Sequence, residues 1–213
     1  MKHIYLVQHG ETDYNKRHIN QGSEIDVTMN HKGVLQAQKT AEYLKTRGPF
    51  DIIYASPSIR TTQTATLIST QTQTPIVYND LLLEKRNGKL AGMDKKDPVY
   101  IDYNAYKKSL KGNDPIENKL NEELYANEAD KKFDIGKETE SELRQRCHDF
   151  IDILIDSPHS RIIVTGHASM LCCLIKTLFK IPHVSNAGNC FISYLQCNVD
   201  GFKMITEPNI LHL

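Results

Sequence analysis

An α/β fold is predicted, with a mainly parallel central sheet and helices on both of its faces. Three observations lead there. Short apolar runs alternate with longer stretches of helical periodicity along the 213 residues, the pattern of strand–helix–strand units. The first run, Ile4-Tyr5-Leu6-Val7, is apolar on both sides, as a strand buried within a sheet must be. No internal repeat or low-complexity tract suggests another architecture.

Taken in order, Ile4 to Val7 is the first strand, and a polar, irregular stretch follows from Gln8 to about Asn30. Val34, Ala37, Ala41 and Leu44 recur at helical spacing, and Gly48-Pro49 closes that helix. Asp51 to Ala55 reads as the second strand. Ser56-Pro57 then opens a helix to about Thr70, with proline in its first turn. Ile76 to Tyr78 is a short third strand. From Asp94 to Lys137 charges dominate and no apolar stripe is long enough for a separate core. This segment is read as an inserted, mainly helical cover over the active site within a single domain spanning residues 1–213. Leu143, Cys147, Phe150, Ile151 and Leu154 restore a helical stripe. Arg161 to Thr165 is the fourth strand, Ala168 to Lys180 the next helix, and Phe191 to Gln196 with Phe202 to Thr206 a terminal pair.

Composition narrows the function classes. Twenty-six Lys+Arg balance 26 Asp+Glu, so the basic excess of a general nucleic-acid binder is missing. With 39% hydrophobic and 24% charged residues the chain is expected to be globular. Its five cysteines include no CxxC pair, which fits reduced, buried thiols better than a zinc site or disulfide framework. No apolar run approaches the ~20 residues of a membrane span or the length of a signal peptide's core. A cytoplasmic protein without membrane partners is the expectation. Monomer and homodimer both fit.

In open parallel sheets, ligands bind beyond the carboxyl ends of the strands. There the sequence places Gln8-His9-Gly10-Glu11-Thr12 with Asn15, then Ser56-Pro57-Ser58-Ile59-Arg60, then Glu84-Lys85-Arg86-Asn87-Gly88, and finally Gly166-His167. Two histidines, an arginine and a carboxylate suit phosphoryl transfer. A neutral imidazole is a competent nucleophile. The transition state needs fixed donors around its equatorial oxygens, and a carboxylic acid can protonate the leaving oxygen.

The run Leu6-Val7-Gln8-His9-Gly10-Glu11-Thr12 resembles the signature of the histidine phosphatase superfamily, in its phosphoglycerate-mutase-like branch. Glutamine stands at position 8 where that signature has arginine. The resemblance continues through Asn15, Gln21-Gly22, Gly33-x-x-Gln36-Ala37, Ser56-Pro57-x-x-Arg60-x-x-Gln63-Thr64-Ala65, and Glu84 with Gly88 and Gly92. It extends to Glu138, Glu142, Arg146 and Phe150 and ends at Val164-Thr165-Gly166-His167, where Ala168 replaces a usual glycine. The resemblance implies a phosphoglycerate-mutase-like fold and a phosphomonoesterase acting on a small phosphorylated metabolite through a phosphohistidine. His9 would be the nucleophile and His167 a donor to the phosphoryl oxygens. Arg60 would clamp the phosphate, and Glu84 would be general acid, then base. Gln8, Gly10, Asn15, Gly22, Arg86 and Ala168 would line the substrate site, Gly10 by letting the backbone pass close to the ligand. No metal or cofactor is implied.

Gln8 and Ala168 also motivate a second reading, a weakly active or inactive phosphate-binding pseudoenzyme. A phosphoglycerate mutase is a third; against it, the chain has no tryptophan and nothing like the Trp-Arg-Arg type segment of cofactor-dependent mutases between Met93 and Asn127. His3, His18, His31, His148, His159, His183 and His212 are expected to be surface or structural. Glu11 is expected to be a hydrogen-bonding residue, and Glu142 an exposed helix residue.

Overall fold

A computed structural model describes residues 1–181, 184, 188–198 and 201–205. His183 and His212 lie outside the described residues. In chain order the elements are β1 (Lys2–Gln8), α1 (Asp13–Lys16), α2 (His31–Lys45), β2 (Ile52–Ala55), α3 (Ile59–Thr72) and β3 (Ile76–Tyr78). They continue with α4 (Pro98–Ser109), α5 (Pro115–Leu120), α6 (Glu122–Phe133), α7 (Glu140–Asp156), β4 (Arg161–Gly166), α8 (Ala168–Phe179), β5 (Ile192–Asn198) and β6 (Gly201–Met204). The chain forms two compact units. One holds residues 1–13, 26–84 and 144–213, the other residues 14–25 and 85–143.

The first unit carries a six-stranded sheet in the order β3-β2-β4-β1-β5-β6. β1, β2, β3 and β4 run parallel, whereas β5 is antiparallel to β1 and to β6. The sheet is therefore mixed but mostly parallel. The terminal pair forms as expected, with β5 also continuing the sheet at β1; Thr206 lies outside the described residues. Tyr5, Val7, Ile53, Ala55, Ile163 and Ile192 pack with Ala41 and Leu44 of α2 and Ala65 and Ile68 of α3. On the opposite face Tyr54 meets Phe150 of α7 with ring centroids 5.9 Å apart, and Cys147 Sγ lies 3.6 Å from Met170 Sδ of α8. Ile4, Leu6, Ile162 and Val164 are fully buried, each side chain contributing about 1.5–3 kcal/mol by leaving water. The five cysteines are unbridged thiols, and all but Cys197 are buried.

Helix α3 starts later than the Ser56-Pro57 pair suggested. Ser56 remains tied to the sheet, its N–H donating to Thr165 O at 3.0 Å, the chain bends at Pro57 and Ser58, and Ser58 is the N-cap residue. Ser58's side chain makes no capping bond. Asp26 serves instead, its carboxylate accepting from Ile59 N at 2.7 Å and placing negative charge at a helix N-terminus.

The second unit revises the expectation for residues 94–137. The segment is helical, but it has a core. Tyr103, Ala129 and Ile135 bury against Leu90, with Met93, Tyr100, Tyr106 and Phe133 packed around them. Tyrosines carry much of this cluster, and a search for aliphatic stripes passes over them. The stretch after Gln8 is also more ordered than a loop, with α1 and bridges pairing Thr12 with Met29 in the first unit and Ile19 with Asp94 in the second. α7 opens on a capping box. Thr139 Oγ1 accepts from Glu142 N at 3.1 Å, and Glu142 Oε2 accepts from Thr139 N at 2.8 Å.

Candidate active site

The strand order brings three chain reversals side by side. β2, β4 and β1 are neighbours running the same way, so Ser56, His167 and His9 leave adjacent strands at the same edge. The His9 backbone is held on three sides. Its N–H donates to Gly166 O at 3.1 Å, and its carbonyl accepts from Cys190 N at 3.2 Å and Asn189 Nδ2 at 3.1 Å. The next N–H, of Gly10, donates to Thr64 Oγ1 at 3.1 Å. At position 10 packing alone already requires glycine. A Cβ there would lie closer than 3.0 Å to Gly33 O, and one at Gly33 would meet the Glu11 backbone as closely. Glu11 is a hydrogen-bonding residue as expected, its carboxylate accepting from Asn30 Nδ2 at 3.0 Å and Lys32 Nζ at 2.9 Å.

His9 is 4% exposed and its Nδ1 lies 2.8 Å from Gly10 O. A carbonyl oxygen only accepts, so Nδ1 carries the proton and Nε2 keeps its lone pair. Burial pushes the His9 pKa down to about 3, the nearby Arg60 charge adding to it and the Gly10 bond opposing. His167 is fully buried and is held well below the usual histidine range by burial, then by the charges of Arg60, His9 and Arg146. The two imidazoles lie with ring centroids 5.3 Å apart and planes at 63°. His167 Nε2 is 2.9 Å from Ser56 Oγ, while its Nδ1 is buried and meets no hydrogen-bond partner among the described residues.

Arg60, on the first turn of α3, is 1% exposed. Burial pushes its pKa down, and the carboxylates of Glu84 and Asp26 work against that; a guanidinium still stays charged. Glu84 accepts from Ser169 N at 3.2 Å and Met170 N at 3.3 Å. It thereby satisfies the N-terminus of α8, where His167 is the N-cap residue without a capping bond of its own. Arg146 of α7 fixes the chain leading to Glu84, its Nη1 donating to Leu81 O at 2.8 Å and Leu83 O at 3.0 Å. Gln8 is 3% exposed, and its Oε1 is buried with no hydrogen-bond partner among the described residues. Ala168 is the first residue of α8.

The first unit thus brings together Gln8, His9, Gly10, Arg60, Glu84, His167 and Ala168. Asn15, Gly22 and Arg86 belong to the second unit. There Asn15 O accepts from His18 N at 3.1 Å, and Arg86 Nε donates to Gly136 O at 3.4 Å. Gly22 has a φ of +68°, a backbone that glycine adopts without strain. Sequence reasoning named Ser56 and Arg146 only as parts of motifs and passed over the contacts of Asp26 and Asn189, which carry no local signature.

The edge of the α/β sheet thus sets two neutral imidazoles beside a buried arginine. Residues 4–206 match the histidine phosphatase superfamily (branch 1), and the chain belongs to that family. Among similar proteins, a probable phosphatase of Schizosaccharomyces pombe is 42% identical over 94 residues, a match spanning 43% of each chain. This chain therefore aligns with less than half the length of that relative. A probable phosphoglycerate mutase of Proteus mirabilis is 28% identical over 223 residues, covering 100% of this chain and 95% of that one. A mycobacterial glucosyl-3-phosphoglycerate phosphatase structure superposes with a TM-score of 0.76 at 20% identity, covering 97% of this chain and 98% of the other. The family and its curated phosphatase relatives support an enzyme of phosphatase type, and the structural neighbour supports the fold. No described helix is long and apolar enough to cross a membrane.

Proposed function

We propose that this chain is a phosphomonoesterase that works through a phosphohistidine at His9. The observation that carries the reading is the pairing of His9, with its Nδ1 proton engaged by Gly10 O and its Nε2 lone pair left for attack, with a second neutral imidazole 5.3 Å away. In the first step Nε2 bonds to phosphorus and the ester oxygen leaves with a proton from Glu84. In the second, Glu84 takes a proton from water, the water oxygen bonds to phosphorus and the N–P bond breaks. Arg60 and His167 stabilise the equatorial oxygens.

Gln8 belongs to this proposal as a weaker substitute for a guanidinium. Its amide can turn its NH2 toward a phosphoryl oxygen, without charge and without the forked donors of arginine. Asn15, Gly22, Arg86 and Ala168 are assigned to substrate binding on the sequence resemblance alone. Hydrolysis of an aryl phosphate by the purified chain tests the reading. Activity lost in His9→Ala is the expected result. Equal inactivity of wild type and variant on aryl phosphates and phosphosugars contradicts it, and conversion of 3-phosphoglycerate to 2-phosphoglycerate in place of hydrolysis would make the chain a mutase.

A further inference from the structure

We propose that Ser56 is the positioning residue that sets the tautomer of His167, its hydroxyl donating to Nε2 so that the ring proton sits on Nδ1. Ser56 is fixed before any ligand arrives. Its N–H donates to Thr165 O at 3.0 Å, and its carbonyl, 3.0 Å from Thr61 Oγ1, shares that hydroxyl with Ser58 O at 2.7 Å. Both Ser56 and His167 are 0% exposed, so water does not compete for the 2.9 Å contact between Oγ and Nε2.

A neutral imidazole has one N–H and one lone pair, leaving two arrangements. If Nε2 carried the proton, Ser56 would accept it and turn its own hydroxyl to Ser58 Oγ, 3.4 Å away, a poor bond for two hydroxyls. Nδ1, buried and without a partner among the described residues, would then present a bare lone pair. With Ser56 donating, the short contact is used fully and Nδ1 becomes an N–H donor. Its natural acceptor is an anionic oxygen brought in by the ligand. This consequence rests on the phosphatase reading; the tautomer itself does not. Both catalytic-site imidazoles then hold the proton on Nδ1, but for opposite purposes. Gly10 O, an acceptor, keeps the His9 proton on Nδ1 and leaves Nε2 as the nucleophile. Ser56, a donor, occupies Nε2 of His167 and leaves Nδ1 to donate.

The test is 15N NMR of the full chain labelled at histidine, with the His167 signals identified by their loss in His167→Gln. The expected spectrum shows a protonated, pyrrole-type Nδ1 and an unprotonated, pyridine-type Nε2. A protonated Nε2 would overturn the proposal without any variant being needed. Removing one neutral hydrogen bond through Ser56→Ala should mix the tautomers and lower kcat on an aryl phosphate by about five- to thirtyfold, with KM moving less than about twofold. Ser56→Thr, which keeps the hydroxyl, should restore the single tautomer. Ser56→Ala with wild-type tautomer and kcat would also overturn it. Should the wild-type chain hydrolyse no phosphomonoester, the functional reading fails while the spectrum still decides the role of Ser56.

Discussion

Burying two histidines in neutral form has a cost that appears as acid sensitivity. His9, with its pKa near 3, stays unprotonated in the folded chain at pH 5, and His167 is held well below the usual histidine range by burial. In the unfolded chain each titrates near 6.5. The unfolded state therefore binds more protons below pH 6.5, so the stability tied to each histidine is complete above that pH and is lost as pH falls, for His9 as it nears 3. At pH 5 the loss from His9 is 2.303RT times the distance from 6.5, about 2 kcal/mol, and His167 adds a loss of the same sign. At a urea m value of about 2–3 kcal/mol/M, the His9 contribution alone lowers the unfolding midpoint by roughly 0.7–1 M between pH 7.5 and pH 5. His9→Gln removes this titrating group, so its midpoint should fall by roughly 0.7–1 M less than the wild type's over the same range. Urea unfolding of both proteins at both pH values makes the comparison. Identical pH dependence in wild type and His9→Gln would refute the reasoning, because it would mean that His9 is protonated in the fold.

Three other changes have defined outcomes. Arg146→Met removes the donor to Leu81 O and Leu83 O and should lower kcat on an aryl phosphate about tenfold by loosening the segment that carries Glu84; unchanged steady-state kinetics would show that Glu84 is held without it. Gln8→Arg should raise kcat/KM about ten- to thirtyfold, the gap between a charged and a neutral hydrogen bond, and a fall would mean that Gln8 serves another ligand geometry. Gly33→Ala places a methyl group against the Glu11 backbone and should cost about 1–3 kcal/mol in urea unfolding; no cost would mean that the loop after β1 shifts freely.

The sheet was legible because its strands are buried on both faces, which leaves continuous apolar runs such as Ile4 to Val7 and Ile162 to Val164. The chemistry-bearing residues were legible for a related reason. Strand ends are sharp boundaries in sequence, and His9, Ser56 and His167 each follow one directly. What escaped were contacts made across long stretches of chain. Asp26 caps α3 from 33 residues away, and Arg146 grips Leu81 from 65 residues away, distances over which no periodicity or local motif operates. The core of the second unit escaped because tyrosines and a phenylalanine build it on helices whose other faces are densely charged. The start of α3 was misplaced because Ser56 bonds to the neighbouring strand and only the fold reveals that partner.

The central claim is that His9 Nε2 takes the phosphoryl group. Brief incubation of the full chain with a radiolabelled phosphomonoester, quenched in alkali, would trap an N-linked phosphoryl enzyme. The account predicts label on His9 in the wild type, lost on acid treatment as a phosphoramidate is, and none in His9→Ala. Hydrolysis of that substrate by the wild type with label on another residue, or with equal turnover by His9→Ala, would contradict it.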